Sequence, residues 1–199
     1  MRVLAIISVA VGVMVLSSCV GFFGSSNNTP QGNAIEQAFL QSMVPHHSMA
    51  IDMANMALTD AQIQEIKDMA QDVVDAQSAE ITQMEGIHQR LFGTALVPDE
   101  MAHDELGLSM SEAGMDMSMD DLMGADPFDR EYIDMMIHHH QGAIRMARVL
   151  LKNTTDTELK ALANAIISAQ STEIEDMNAL RLEQYGAVSP SGGVPPEDE

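Results

Sequence analysis

One stretch of this chain occurs twice. Met43-Val-Pro-His46-His47-Ser-Met-Ala50-Ile51-Asp-Met53-Ala54 aligns with Met136-Ile-His-His139-His140-Gln-Gly-Ala143-Ile144-Arg-Met146-Ala147, 93 residues further on. The same offset carries Ala76-Gln77-Ser78-x-Glu80-Ile81-x-x-Met84 onto Ala169-Gln170-Ser171-x-Glu173-Ile174-x-x-Met177. No gap is needed from Phe39 and Tyr132 to Met84 and Met177. Self-similarity at a fixed offset requires two similar units, so any fold must place both.

Each unit reads as two helices. At 100° per residue Phe39, Leu40, Met43, His47, Ala50, Ile51, Ala54 and Leu58 share a face, with Gln41, Ser48, Asp52 and Asn55 opposite. The second helix gathers Ile63, Ile66, Ala70, Val73, Gln77, Met84, His88 and Leu91, with Asp68, Asp72, Asp75 and Thr82 outward. Thr59-Asp60 and Asn153-Thr154-Thr155-Asp156 are the expected caps between helices. A hairpin with one apolar stripe cannot bury itself, and two of them together make a four-helix bundle of the ferritin-like kind. Strand-type alternation is absent, so the expected class is all-α. Pro45 is expected to free the Gln41 carbonyl and kink the first helix; its counterpart is His138.

The ends read differently. Arg2, the apolar run Val3–Leu16 and Leu16-Ser17-Ser18-Cys19 resemble a lipoprotein signal that ends at a lipid-modified Cys. The apolar run is shorter than the roughly 20 residues of a spanning helix. Residues 1–19 are therefore the expected signal peptide, 20–33 a flexible tether, and 34–185 the bundle. Within the bundle, repeat 1 covers about 34–92, a Met-rich connector 93–126 and repeat 2 about 127–185. Residues 186–199 are expected to be a disordered acidic tail. Cys19 is the lone cysteine, so a disulfide framework and Cys-based metal sites are excluded. The expected location is outside the cytoplasm, anchored to a membrane on its periplasmic or outer face.

Asp and Glu number 30 against 9 Lys and Arg, a net charge of −21, which excludes a nucleic-acid binder that neutralises phosphates. Methionine, with 18 residues, is the compositional outlier. His47 and His140 fall at the centre of their apolar faces, while His46 and His139 fall at the border beside Met49, Met53 and Met146. On the partner helices Gln77 and Gln170 are central, and Glu80 and Glu173 follow one turn later. Buried polar groups need partners, so one reading is a structural network in which His, Gln and Glu satisfy one another.

The other reading is a metal site. Met43, Met49, Met53, His46 and His47, with Met136, Met146, His139 and His140, form a soft-to-borderline ligand set. That set suits Cu(I) and Ag(I), or Cu(II) at the imidazoles, rather than Mg or Ca. Copper, with Cu(I) favoured, is the expected ligand, and Gln77, Glu80, Gln170 and Glu173 would support the ligands. Met115, Met117 and Met119 alternate in the connector; extended, they would point to one side and could join the ligand set. Alternatively, a short helix from Met119 to Met123 covers the end of the bundle.

The spacings Phe39-Leu-x-x-Met43-x-x-His46-His47-x-x-Ala50-x-x-Met53-Ala54 and Asp129-x-x-Tyr132-Ile-x-Met135-Met136-Ile-x-His139-His140-Gln141-Gly142-Ala143-Ile144-x-Met146-Ala147 resemble the paired signatures of the domain-of-unknown-function-305 family. The resemblance spans roughly residues 34–183. It implies a secreted, helical, ferritin-like fold, and copper binding outside the cytoplasm that contributes to copper resistance. The His and Met residues in the matched motifs are its candidate ligands.

The expected function is therefore a non-catalytic, lipid-anchored copper buffer, with an extracytoplasmic copper-handling protein as a possible partner. The alternative is a helical interaction module that presents its Met-rich segment. A di-iron oxidase ranks lower. Such bundles use Glu-x-x-His on two helices, but Met43 and Met136 occupy the positions three residues before His46 and His139. No nucleophilic triad, phosphate loop or nucleotide fingerprint is present.

Overall fold

A computed structural model describes residues 31–197. The signal peptide with Cys19, and residues 20–30 of the tether, lie outside the described residues. In chain order the described residues form α1 (Ala34–Asp60), α2 (Gln64–Phe92), a 3-10 segment (Glu100–Leu106), α3 (Met119–Met123), α4 (Phe128–Asn153) and α5 (Thr157–Tyr185). No strand occurs among them. The class is all-α, and no described helix is long and apolar enough to cross a membrane.

α1 pairs with α2 and α4 with α5, while the two hairpins meet mainly through α1 and α4. α2 and α5 scarcely touch, so α1 and α4 are each covered on two sides. This explains a difference from the helical-wheel reading. His46 and Met53 belong to the α4-facing side of α1 and are fully buried, with His47 and Ala50. A wheel built on one stripe puts them at the border because it allows each helix only one neighbour.

Two apolar clusters result. The first holds Phe39, Leu40, Met43, Met84, Met146 and Leu150, with Ile166 from α5. The second holds Met53, Ile66, Val73, Tyr132, Met136 and Ile174. Along α1 the first cluster ends at Val44 and the second begins at Ala50; along α4 the order is reversed. Two antiparallel helices therefore cross where both carry their His pair, and the imidazoles form a polar layer between the clusters.

Local chemistry sets the helix ends. Asn33 and Glu36 form a reciprocal capping box at the start of α1. Asp156 caps α5, accepting from the Glu158 and Leu159 amides, as expected. Thr59 and Asp60, expected to cap α2, are instead the last residues of α1. The turn into α2 is held from the other hairpin, where buried Asp129 accepts from the Gln62 and Ile63 amides at 2.9 and 3.0 Å. Helix α1 continues through Pro45, and the Gln41 carbonyl accepts from the Asp99 amide at 2.9 Å. The freed acceptor thus ties down the start of the connector.

Both ends of the described residues are more ordered than their composition suggests. Gln31 donates to the Leu91 carbonyl, so the last residues of the expected tether lie against α2. Residues 187–197, expected to be disordered, fold back along α4 and α5. Arg181 donates to the Ala187 and Val188 carbonyls, Gln141 to those of Ser191 and Gly193, and Arg148 to that of Pro196. Composition measures how well a segment buries itself; here the helices supply the donors.

Candidate metal centre

At the crossing of α1 and α4, the His46 and His139 rings face each other with centroids 3.6 Å apart and planes tilted by 39°. Both residues are fully buried, and no nitrogen of either ring has a partner at good hydrogen-bond geometry. The backbones of Ala113 and His139 approach His46, and that of His46 approaches His139, too weakly to offset burial. Outside this pair lie His47, 6.1 Å from His46, and His140, 6.3 Å from His139, by ring centroid. His47 Nε2 is 2.7 Å from Glu80 Oε2, and His140 Nε2 is 2.7 Å from Glu173 Oε2. The second contact approaches off the line that a hydrogen bond requires. The Nδ1 atoms of His47 and His140 have no partner. In the tautomer protonated at Nε2, the carboxylate orients the ring and leaves the Nδ1 lone pair free, as in carboxylate–histidine–metal arrangements.

Burial, followed by the neighbouring imidazoles, holds the His46 and His139 pKa values well below the ordinary value. These rings stay neutral and keep their lone pairs below neutral pH. Burial raises the Glu173 carboxyl, but His140 and then His47 outweigh it, and the net shift is downward. Burial and Glu173 push the Tyr132 phenol up, so it stays protonated.

Thioethers flank the imidazole layer on both sides. Met43 and Met146 belong to the first cluster and Met53 and Met136 to the second, all four fully buried. Ser42 Oγ lies 3.7 Å from Met146 Sδ. Met49 is half-buried at the edge of the second cluster. Gln77 and Gln170 are buried but do not complete the expected His–Gln–Glu network. Gln77 Oε1 and both polar atoms of Gln170 have no partner. Their helices contribute only Glu80 and Glu173 to the imidazoles.

The connector crosses the outside of this layer. Met115 packs into the first cluster, and Met117 and Met119 pack against the second. All three turn inward while Asp116, Ser118 and Asp120 are exposed. Met119 also opens α3, so the alternating and short-helix readings each describe part of the segment. A Cβ on Gly142 would stand 1.9 Å from the Ala113 carbonyl oxygen, and only glycine lets the connector approach α4 so closely. His138 and Asp116 pair at 2.8 Å to hold it there.

Among the described residues, no group of three or more His, Cys, Asp or Glu side chains converges as a preformed centre. A four-imidazole site is therefore not assembled in this arrangement. The geometry offers an imidazole pair with poorly satisfied nitrogens and thioethers on both sides. Those buried nitrogens and soft sulfurs fit a soft monovalent cation.

Two carboxylates are buried: Glu36, which the sequence reading missed, and Asp129, which opens the second motif but had no role assigned to it. Glu36 accepts from the Thr154 hydroxyl and Asp129 from the turn before α2, so each fastens one hairpin to the other. They too are 93 residues apart, a signal available just before the start of the gap-free alignment.

The family model described as a domain of unknown function, DUF305, matches residues 36–181. The chain belongs to the DUF305 family. Among solved structures, this DUF305 protein is similar to CopM in its Cu(I)-bound form, with 37% identity and a TM-score of 0.65. The match covers 76% of this chain and 98% of CopM. CopM has also been solved in Cu(II)-bound, Ag-bound and apo forms. A DUF305 fragment from Deinococcus radiodurans is 28% identical over 76% of this chain and 97% of its own, with a TM-score of 0.61. An uncharacterized protein, L153, of Acanthamoeba polyphaga mimivirus is 40% identical over 52 residues, 26% of this chain. That match spans 34% of the viral protein.

Proposed function

We propose that this DUF305 protein binds copper within its helical bundle, with Cu(I) favoured, and buffers it outside the cytoplasm without catalysing a reaction. The observation that carries the reading is the His46–His139 pair: two buried, neutral imidazoles in contact, with no ring nitrogen in a well-formed hydrogen bond. A buried polar group without a partner costs about 1–3 kcal/mol. A soft cation bound at these nitrogens removes that cost. Met43, Met53, Met136 and Met146 supply sulfur from both sides, Glu80 orients the His47 imidazole, and Glu173 lies 2.7 Å from that of His140. The likeness to CopM, solved with copper and silver bound, supports the choice of metal. The charge of −21 would concentrate cations near the protein. Cys19 would carry the lipid anchor.

Anaerobic titration with Cu(I) against a coloured chelator tests this. The chain is expected to compete for the metal, and the variant with His46, His47, His139 and His140 replaced by Ala is expected not to. Unchanged affinity in that variant overturns the site. It would favour an interaction module that uses exposed Met101 and Met123. Replacement of Cys19 by Ser is expected to release the protein from the membrane fraction.

A further inference from the structure

Around the two outer imidazoles the hairpins are not equivalent. A cavity of about 90 Å³ reaches His140 between α2, α4 and α5. Three thioethers line it: Met69 from α2, Met136 from α4 and Met177 from α5. His140 Nδ1 and the Tyr132 hydroxyl are buried without partners, and both residues line the cavity. Exposed Asp72 and Asp176, with partly exposed Glu173, line the same cavity. The space holds a cation and one or two waters, since a water occupies about 30 Å³.

The 93-residue offset gives the corresponding surroundings of His47. Met136, Met177 and Glu173 have counterparts in Met43, Met84 and Glu80. Val73 becomes Ile166, also apolar, but four positions change chemistry: Met69 becomes Leu162, Tyr132 becomes Phe39, Asp72 becomes Ala165 and Asp176 becomes Gln83. Only the outer imidazole of the second hairpin, His140, is therefore surrounded by a third thioether, a hydroxyl and two acids, with Met69 and Asp72 supplied by α2 of the first hairpin. Leu and Phe fill the same space as Met and Tyr, so packing alone does not require these differences.

We propose that this cavity is the capture site for a soft monovalent cation, Cu(I) or Ag(I), which enters by the α2–α5 side and binds at His140 before the His46–His139 layer. The proposal rests on the copper reading above and adds an order and a direction to it. The carboxylates draw the cation in. The three sulfurs and His140 Nδ1 then hold it in a medium where thioethers compete with water. From there His139, next to His140 in the chain, offers the next nitrogens.

The test is a substoichiometric Ag(I) titration of the full chain with 13C-labelled methionine methyls, followed by NMR. The Met69 and Met177 methyls are expected to move first, before those of Met43 and Met84; Met136 borders both sites and does not separate them. In stopped flow, Met69→Leu with Met177→Leu is expected to slow uptake at least tenfold while leaving the helical circular dichroism unchanged. Simultaneous movement of Met43 and Met84, or unchanged uptake by that variant, overturns the capture site but leaves copper binding standing. No methyl movement and no Cu(I) competition overturns both.

Discussion

His46 on α1 and His139 on α4 lie with ring centroids 3.6 Å apart and planes tilted by 39°, fully buried and without a well-formed hydrogen bond to either ring. Hydrophobic side chains of similar size would pack this crossing more favourably than two poorly satisfied imidazoles. Such an arrangement costs stability and makes sense where the nitrogens are needed for a ligand.

Replacing both residues by Leu should therefore raise the stability of the metal-free protein by about 1–3 kcal/mol while weakening Cu(I) binding. Urea unfolding of the apo forms, beside chelator competition, measures both effects. A less stable apo variant would show that partners or packing already satisfy the imidazoles.

Acid should weaken the metal-free fold. His46 and His139 have depressed pKa values when folded and about 6.5 when unfolded, so below pH 6.5 the unfolded chain binds more protons. The contribution of the neutral rings is present above pH 6.5 and is lost as the pH falls. The expected slope approaches about 1.4 kcal/mol per pH unit for each ring. Unfolding free energies from pH 7.5 to 5 test this, and the double Leu variant should show a shallower fall.

Gly142→Ala should push the connector off α4. Its new Cβ would meet the Ala113 backbone at 1.9 Å, a contact that side-chain rotation cannot relieve. A loss of about 1–3 kcal/mol is expected, with a shifted Met115 methyl signal as the local reporter. Wild-type stability together with an unmoved Met115 would mean that the connector is not seated as described.

Asp129→Ala removes the carboxylate that holds the Gln62 and Ile63 amides. The cost should be about 0.5–2 kcal/mol, as for loss of a helix cap. Faster hydrogen exchange should be confined to the start of α2. Exchange spread evenly over both hairpins would instead assign Asp129 to global packing.

Much of the fold was legible because helical periodicity and the 93-residue offset are local or self-referential signals. The buried face of α2, from Ile66 and Val73 to Met84 and Leu91, matches the periodic reading. The depth of His46 was not legible, because a wheel cannot say how many neighbours a helix has. The tail illustrates the same limit: its composition is that of an unbound segment, yet Gln141 and Arg181 hold its carbonyls. The cap of α2 lies outside any local motif, since Asp129 is 66 residues from Ile63.

The sequence by itself determined the all-α class and the paired hairpins, because spacing along a helix sets which side chains share a face. That His47 meets Glu80 and His140 meets Glu173 is a contact between helices and was decided by the tertiary structure. The tertiary structure also decided which imidazoles meet. His46 and His139 come together because α1 and α4 cross antiparallel with both His pairs at the crossing. It also decided that Gln77 and Gln170 stay out of the network and that the cavity reaching His140 is ringed by Met69 and Asp72 from the other hairpin. Those outcomes depend on the angle and register between helices, which many weak packing contacts set together and no single motif encodes.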